Sequence, residues 1–303
     1  MKLINIMNES NFNVHLASHY GVCFGVRDAI NATRKTFSDD KVTVLGQLVH
    51  NPIVDEELKR NDVKSGKLRE PSKDIIGTVI ITAHGASNVD RNAWRSTNRK
   101  IVDTTCPLVR RAHDNLSKLV ESGYFPVVVG KKEHAEVEGL IGDFPQALVI
   151  EKPSDLEKLP EVDKIGVVSQ TTQRSDYVER VIENIRSHLP DTEVKFVDTI
   201  CAPTKNRQKS VRELAAFCDV IVVVGGANSN NTKQLVKTVE ELGRRAIHIQ
   251  KPSDLDADWF EGCGEVGLTA GTSTLKETVK SVFEKLKLIA NDVCSDKLEK
   301  IAS

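Results

Sequence analysis

Aromatic side chains are scarce in this 303-residue chain, at 5%, so its core must be built mainly from aliphatic residues. Neither sign of charge dominates. The formal net charge is −1, which argues against a general binder of nucleic acid or of anionic membrane. No apolar run approaches the roughly 18 residues of a membrane span. The opening residues, MKLINIMNESNFNV, lack the basic-then-apolar layout of a secretory signal. The phosphate-gripping GxxxxGK(S/T) loop is missing, so nucleoside triphosphate chemistry is not indicated. The close cysteine spacing of ferredoxins is missing too, which argues against a pure electron relay. A cytoplasmic location is expected, where thiols stay reduced. Six cysteines in that compartment read as ligands or core residues rather than disulfides.

Composition is otherwise that of a globular protein, with 39% hydrophobic and 28% charged residues and length enough for two or three domains. Internal repetition sets the chain apart. VVVGKKEHAEVEGL (127–140) aligns with VVVGGANSNNTKQL (222–235), EKPSDLEKLP (151–160) with QKPSDLDADW (250–259), and GVVSQTTQ (166–173) with GLTAGTST (267–274). A more divergent first copy offers VTVLGQLVHNPIV (42–54), REPSKD (69–74) and VIITAHGAS (79–87) in the same order. Self-similarity of this kind governs the expected architecture. Three units are expected, at 15–100, 101–195 and 196–293.

Helical and strand patterns alternate within each unit, which implies an α/β fold. Val178, Val181, Ile182, Ile185 and Leu189 share one helical face, and Val279, Val282, Phe283 and Leu286 repeat that spacing. The strands read VVVG, IVVVGG, VIIT and IGVV, continuous apolar runs that suit parallel sheets covered on both faces. Ligands of such sheets collect beyond the carboxyl ends of the strands. His50, His84, His134, Thr171, Ser229, Asn231 and Ser273 lie in loops at those ends.

Cys23, Cys106 and Cys201 occupy matching places in the three units. Cys106 lies in VDTTCP and Cys201 in VDTICAP. A strand-ending glycine follows the three at 23, 24 and 24 residues, as Gly46, Gly130 and Gly225. Each cysteine stands at or just before an expected helix, at roughly 26–37, 109–122 and 205–217. The positive end of a helix dipole favours thiolate there, and Pro107 and Pro203 suit a first helical turn. Three convergent thiolates and no fourth suggest an iron–sulfur cluster with one iron open for chemistry. Zinc is the rival metal, although catalytic zinc more often takes histidine or carboxylate ligands. Cys218 reads as core, and Cys263 and Cys294, without repeat partners, read as structural.

The third unit replaces the loop histidine with GGANSNN, supplying Ser229, Asn230 and Asn231, and AGTS adds Ser273. Neutral donors and histidines in a dry site suit a multi-oxygen anion such as diphosphate. Glu136, two residues after His134, would have reason to hold a proton beside a cluster and an anion. Its own surroundings in sequence suit a solvated helix start equally well. Thr171 and Thr172 suit helix caps, and the Lys131–Lys132 pair reads as solvated.

Together these residues resemble the IspH/LytB family of 4-hydroxy-3-methylbut-2-enyl diphosphate reductases. The resemblance is carried by GVCFGVRDAI (21–30), LVHNPIV (48–54), ITAHGAS (81–87), VDTTCPLV (102–109), EHAEVEGLIG (133–142), SQTTQ (169–173), ICAPTKNRQ (200–208), GGANSNNT (225–232) and LTAGTS (268–273), in family order over nearly the whole chain. It implies a trefoil of three pseudo-threefold-related α/β units around a central [4Fe–4S] cluster held by Cys23, Cys106 and Cys201. It further implies diphosphate binding by His50, His84, His134, Ser229, Asn231 and Ser273. Asn230 stands in the same pocket where the family commonly has Ser. Glu136 is implied in proton delivery and Thr171 in positioning the substrate hydroxyl. The implied reaction takes two electrons and two protons, expels the C4 hydroxyl as water, and yields isopentenyl and dimethylallyl diphosphates. The implied partners are the diphosphate substrate and a ferredoxin- or flavodoxin-type electron donor, with no nucleic acid and no membrane. A redox-neutral hydro-lyase and a non-catalytic cluster-bearing sensor are the alternatives. The first would turn over without an electron donor, and the second would not need a diphosphate pocket.

Overall fold

The computed structural model describes residues 12–71, 75 and 77–302, with side chains as far as 291. Residues 72–74 of the REPSKD stretch, the first eleven residues and the side chain of Cys294 lie outside what is described.

The chain runs β1 (Asn13–Leu16), α1 (Phe24–Asp39), β2 (Val42–Leu45), α2 (Pro52–Arg60), β3 (Lys64–Gly66), β4 (Thr78–Ile81), α3 (Asn88–Arg95) and β5 (Ile101–Asp103). It continues through α4 (Pro107–Glu121), β6 (Phe125–Val129), α5 (Ala135–Ile141), β7 (Leu148–Ile150), β8 (Lys164–Ser169), α6 (Ser175–His188) and β9 (Glu193–Phe196). It ends with α7 (Ala202–Ala215), β10 (Val220–Val224), α8 (Asn230–Glu241), β11 (Arg245–Ile249), β12 (Glu265–Ala270) and α9 (Lys276–Ala302).

These strands form three four-stranded sheets, and every pairing is parallel. The orders are β3-β2-β4-β5, β7-β6-β8-β9 and β11-β10-β12-β1. One topology is thus built three times, as the α/β reading of the repeats expects. In the last sheet the N-terminal strand takes the place that β5 and β9 fill in the others. Each of Cys23, Cys106 and Cys201 therefore follows the fourth strand of a sheet and precedes a helix.

The chain divides into two compact units. The first combines the N-terminal residues to Val22 with Asn206 onward, and the second is Cys23–Lys205, so the boundary falls inside α7. The second unit carries two of the sheets and the first carries the third.

The apolar runs are explained by which side each residue faces. On β10, Val220, Val222 and Val224 pack with Val279, Val282 and Leu286 of α9. Ile221 and Val223, pointing the other way, pack with Val211 and Leu214 of α7 and Leu235 and Val239 of α8. In the second unit, Val127 and Val129 of β6 meet Val178, Val181, Ile182 and Ile185 of α6, while Val128 meets Leu116 of α4 and Leu140 of α5. A strand buried on both sides cannot alternate polar with apolar residues. Each fully buried Val or Leu contributes about 1.5–3 kcal/mol to the stability of its layer. Cys218 is fully buried among the α7 and α8 contacts, as its core reading expects, and the partly buried Cys263 packs against the α9 side.

The repeated KPSDL is a capping device. Asp155 accepts from the N–H groups of Glu151 and Lys152 at 3.1 and 3.2 Å. Asp254 accepts from Gln250 and Lys251 at 2.9 and 3.1 Å. Asp155 is fully buried and also pairs with Lys132 Nζ at 2.7 Å and Lys158 Nζ at 3.0 Å. Lys132 is thus an ion-pair partner rather than a merely solvated cation, because a buried carboxylate needs a counter-charge.

Candidate active site

The VDT stretches before Cys106 and Cys201 act through two short-range bonds. Asp103 Oδ1 accepts from Thr105 N–H at 3.0 Å, and Asp198 Oδ1 from Ile200 N–H at 3.0 Å, so each aspartate folds a turn over its own next residues. Thr104 and Thr199 then donate their hydroxyls to the carbonyls of Ile81 and Ser169, both at 2.6 Å, tying the turn to the end of the neighbouring strand. Buried Arg91 braces the first of these turns through Asp103 at 3.0 Å and Thr105 at 3.1 Å. The main chain completes the anchoring. Cys106 N–H donates to Ala83 O at 3.1 Å and Cys201 N–H to Thr171 O at 3.0 Å.

Cys23 and Cys106 are the N-cap residues of α1 and α4, with no cap hydrogen bond from their side chains, and Cys201 directly precedes α7. All three lie in the second unit, none is in a disulfide, and all are partly buried. Two contacts tie their surroundings together: Gly25, two residues after Cys23, packs against Cys106 Sγ, and Thr171 accepts from Cys201 N–H while donating to Glu136 Oε1. Burial pushes the Cys201 thiol up to about 11, against the pull of Thr204, whose Oγ1 accepts from Sγ at 3.1 Å. Burial raises the Cys106 thiol as well, and the N–H groups of Leu108 and Val109 pull it back. A Cβ added to Gly25 would sit 2.5 Å from Cys106 Sγ, so only glycine lets α1 approach that sulfur. Soft sulfur donors at helix starts, with Cys106 and Cys201 raised by burial, fit a metal centre that would take up their negative charge.

His50, His84 and His134 come together on loops after β2, β4 and β6. Their ring centroids are 4.3, 5.1 and 5.4 Å apart, and their nitrogens lie within 4.8 Å of one another. His50 directly precedes Asn51, whose Oδ1 caps α2 by accepting from Ile53 N–H at 2.9 Å. His134 is itself the N-cap of α5 and accepts from Glu136 N–H on Nδ1 at 3.1 Å. Gly85, with φ +82°, gives His84 the turn it needs. Burial, and then the charges of the other two rings, lower His84 well below the usual histidine range. A cavity of about 380 Å³ borders the loops at Gly46, Thr82, Gly85 and Ala135.

Glu136 is buried in the first turn of α5 rather than solvated. Burial pushes its carboxyl up to about 7, although Thr171 N–H donates to Oε1 at 2.6 Å and the Thr171 hydroxyl adds a second bond. Thr171 and Thr172 do not cap a helix, because α6 begins after Arg174. Thr171 instead joins Cys201 to Glu136. Gln170 was not singled out by motif or spacing. It is fully buried, accepts from Lys131 N–H at 3.1 Å, and keeps its Nε2 without a hydrogen-bond partner beside Thr171. Gln47 and Asp55, which hold His50 from behind, were also missed; Gln47 touches Nδ1 at 2.7 Å.

The first unit gathers the neutral residues. Ser229 caps α8 by accepting from Thr232 N–H at 3.3 Å. Asn231 Oδ1 accepts from Thr272 N–H at 3.0 Å, and Ser273 follows Thr272. Ser229, Asn230, Asn231 and Ser273 are all buried, at the carboxyl ends of β10 and β12.

Parallel α/β sheets that carry three disulfide-free cysteines at helix starts, a buried carboxyl and a histidine trio are the frame of an α/β enzyme. The chain belongs to the LytB family, whose description, "LytB protein", matches residues 14–287. It is 34% identical over 292 residues to the 4-hydroxy-3-methylbut-2-enyl diphosphate reductase of Aquifex aeolicus, covering 94% of this chain and 98% of that protein. The reductase of the same name from Geotalea uraniireducens is 37% identical over 281 residues, covering 92% and 98%. The solved E-1-hydroxy-2-methyl-but-2-enyl-4-diphosphate reductase from Plasmodium falciparum superposes with a TM-score of 0.84 at 27% identity, covering 90% of this chain and 87% of that one. A second solved reductase, described as the terminal enzyme of the non-mevalonate pathway, gives 0.65 at 33% identity, covering 90% and 98%. Among the described residues no helix is long and apolar enough to cross a membrane.

Proposed function

We propose that this protein reduces (E)-4-hydroxy-3-methylbut-2-enyl diphosphate to isopentenyl and dimethylallyl diphosphates, the last step of the non-mevalonate isoprenoid pathway. The observation that carries the reading is a buried carboxyl, Glu136, raised to about 7 and bonded to the same Thr171 that anchors Cys201, one of three free cysteines at helix starts. Cys23, Cys106 and Cys201 would hold a [4Fe–4S] cluster, which when bound supplies electrons singly and an iron with an open position. The balance is one substrate, two electrons and two protons to one product and one water.

Glu136 stores a proton near neutral pH and releases it to the departing hydroxyl, which would otherwise leave as hydroxide. General-acid help of this kind is worth about 10²–10⁴-fold. Thr171 bonds to Glu136 through both its N–H and its hydroxyl, so it orients the carboxyl and the substrate hydroxyl beside it. His50, His84 and His134 bind diphosphate oxygens. Ser229, Asn230, Asn231 and Ser273 are proposed as further neutral donors to such oxygens. Burial strengthens each of these bonds to charge. Electrons would come from a ferredoxin- or flavodoxin-type donor in the reduced environment of the cytoplasm.

The test is anaerobic purification with iron and sulfide analysis, followed by a reductase assay with a one-electron donor. Iron, sulfide and donor-dependent formation of both products are expected. Turnover without any donor would point to the hydro-lyase, and an intact cluster without affinity for inorganic pyrophosphate would point to the sensor.

A further inference from the structure

The histidine trio is ordered by a chain of hydrogen bonds in which each member fixes the next. His134 Nδ1 accepts from Glu136 N–H at 3.1 Å, so a neutral His134 carries its proton on Nε2. That nitrogen lies 3.2 Å from His50 Nε2, which must then accept. His50 is left with its proton on Nδ1, where it donates to Gln47 Oε1 at 2.7 Å. With its carbonyl oxygen so placed, Gln47 turns its amide toward α2 and donates to Asp55 Oδ2 at 2.6 Å. The line that starts at α5 ends on a carboxylate in the first turn of α2.

This order has a consequence for anion binding. Two neutral rings share a single proton between their facing Nε2 atoms, so His50 has no N–H to offer a phosphate oxygen. A second proton turns both nitrogens into donors. The cationic ring that results faces His84 and His134, with Glu136 beyond the His134 cap, Asp55 behind Gln47, and Lys67, Arg69, Glu70, Asp90 and Glu138 on the cavity that Gly46 borders. Asp55 is linked to His50 Nδ1 through Gln47 by side-chain hydrogen bonds. An outer carboxylate that receives a histidine's far N–H, here through an amide, makes the ring more basic and fixes its orientation.

We infer that Gln47 and Asp55 are positioning residues that hold His50 with Nδ1–H toward the amide, so that its Nε2 takes up a proton when diphosphate binds. The inference rests on the diphosphate reading of the trio. A purely structural role is the alternative, since a first-turn aspartate also favours its own helix.

The experiment uses the cluster-loaded, full-length protein under anaerobic conditions, with inorganic pyrophosphate as probe. Calorimetry in two buffers of different ionisation enthalpy counts the protons exchanged on binding. The wild type is expected to take up a net proton at pH 8. Asp55→Asn keeps the shape and removes the charge, and should weaken binding about tenfold at pH 8, corresponding to about one pKa unit on the ring. The loss should shrink at pH 6, where protons are more abundant in solution. Gln47→Leu should behave the same way. The double variant Gln47→Glu, Asp55→Asn brings the carboxylate directly onto Nδ1–H and should restore both the affinity and its pH profile. A structural role would not produce that rescue. Wild-type affinity, pH profile and proton uptake in Asp55→Asn and Gln47→Leu would overturn the relay alone, as would a double variant no better than Asp55→Asn. A wild type that binds no pyrophosphate would overturn the relay and the diphosphate reading together.

Discussion

The loops after β6 and β10 are the same construction with different chemistry. VVVGKKEHAEVEG and VVVGGANSNNTKQ place His134 opposite Ser229 and Glu136 opposite Asn231. Both His134 and Ser229 cap the helix that follows. Glu136 accepts from Thr171 N–H at 2.6 Å, and Asn231 accepts from Thr272 N–H, the repeat-equivalent donor, at 3.0 Å. Both acceptors are buried. Burial raises the carboxyl until it holds a proton near pH 7, whereas the amide has no charge to lose. One scaffold thus places a titratable carboxyl at this point of one unit and a neutral amide in the other. A carboxyl exchanged for an amide one methylene shorter separates the two.

Variants that copy one loop into the other sharpen this contrast. The largest effect is expected outside the exchanged pair, at the proposed cluster ligands. Cys201→Ser should remove most bound iron and all activity, while Cys263→Ser should leave both near wild type, measured by iron and sulfide analysis. His134→Ser gives the second unit the cap of the first. Pyrophosphate affinity should fall about ten- to hundredfold with the loss of a bond to charge, while unfolding by denaturant should shift by less than about 1 kcal/mol because the cap survives. Asn231→Asp puts a carboxylate where Asn231 stands. It should weaken pyrophosphate binding about tenfold at pH 8, through like charge, and less at pH 5. The smallest change is Ser229→Ala, which removes the α8 cap and should cost about 1 kcal/mol of stability.

The α/β class and the threefold repetition were legible because buried parallel strands leave continuous apolar runs and because VDT-x-C recurs with its turn. The ends of α1, α4 and α7 differ from the periodicity by a few residues, since the first helical turn at each cysteine is set by the cap and not by apolar spacing. Cys23 gave weaker local warning than Cys106, because its preceding strand, β1, pairs with β12 at the far end of the sequence. Thr171 looked like a helix cap because a helix follows. Only the fold shows that its N–H is spent on Glu136. Gln47, Asp55 and Gln170 were illegible for a common reason. A polar residue near a site acquires its role from a partner on another element, and that pairing leaves no periodic trace.

The proton store is tested most directly by single-turnover reduction of the hydroxylated diphosphate by Glu136→Gln. Cluster content and substrate affinity are measured on the same anaerobic sample, across pH 6 to 9. Gln keeps the size of the side chain and cannot release a proton at these pH values. In the wild type the acid form is present below about pH 7 and disappears above it, so its rate should fall as pH rises through about 7. The variant should load its cluster, bind substrate, react about 10²–10⁴-fold more slowly, and show no such step. Reduction at the wild-type rate with a full cluster and the same pH profile would contradict the assignment, and the proton would have to come from elsewhere.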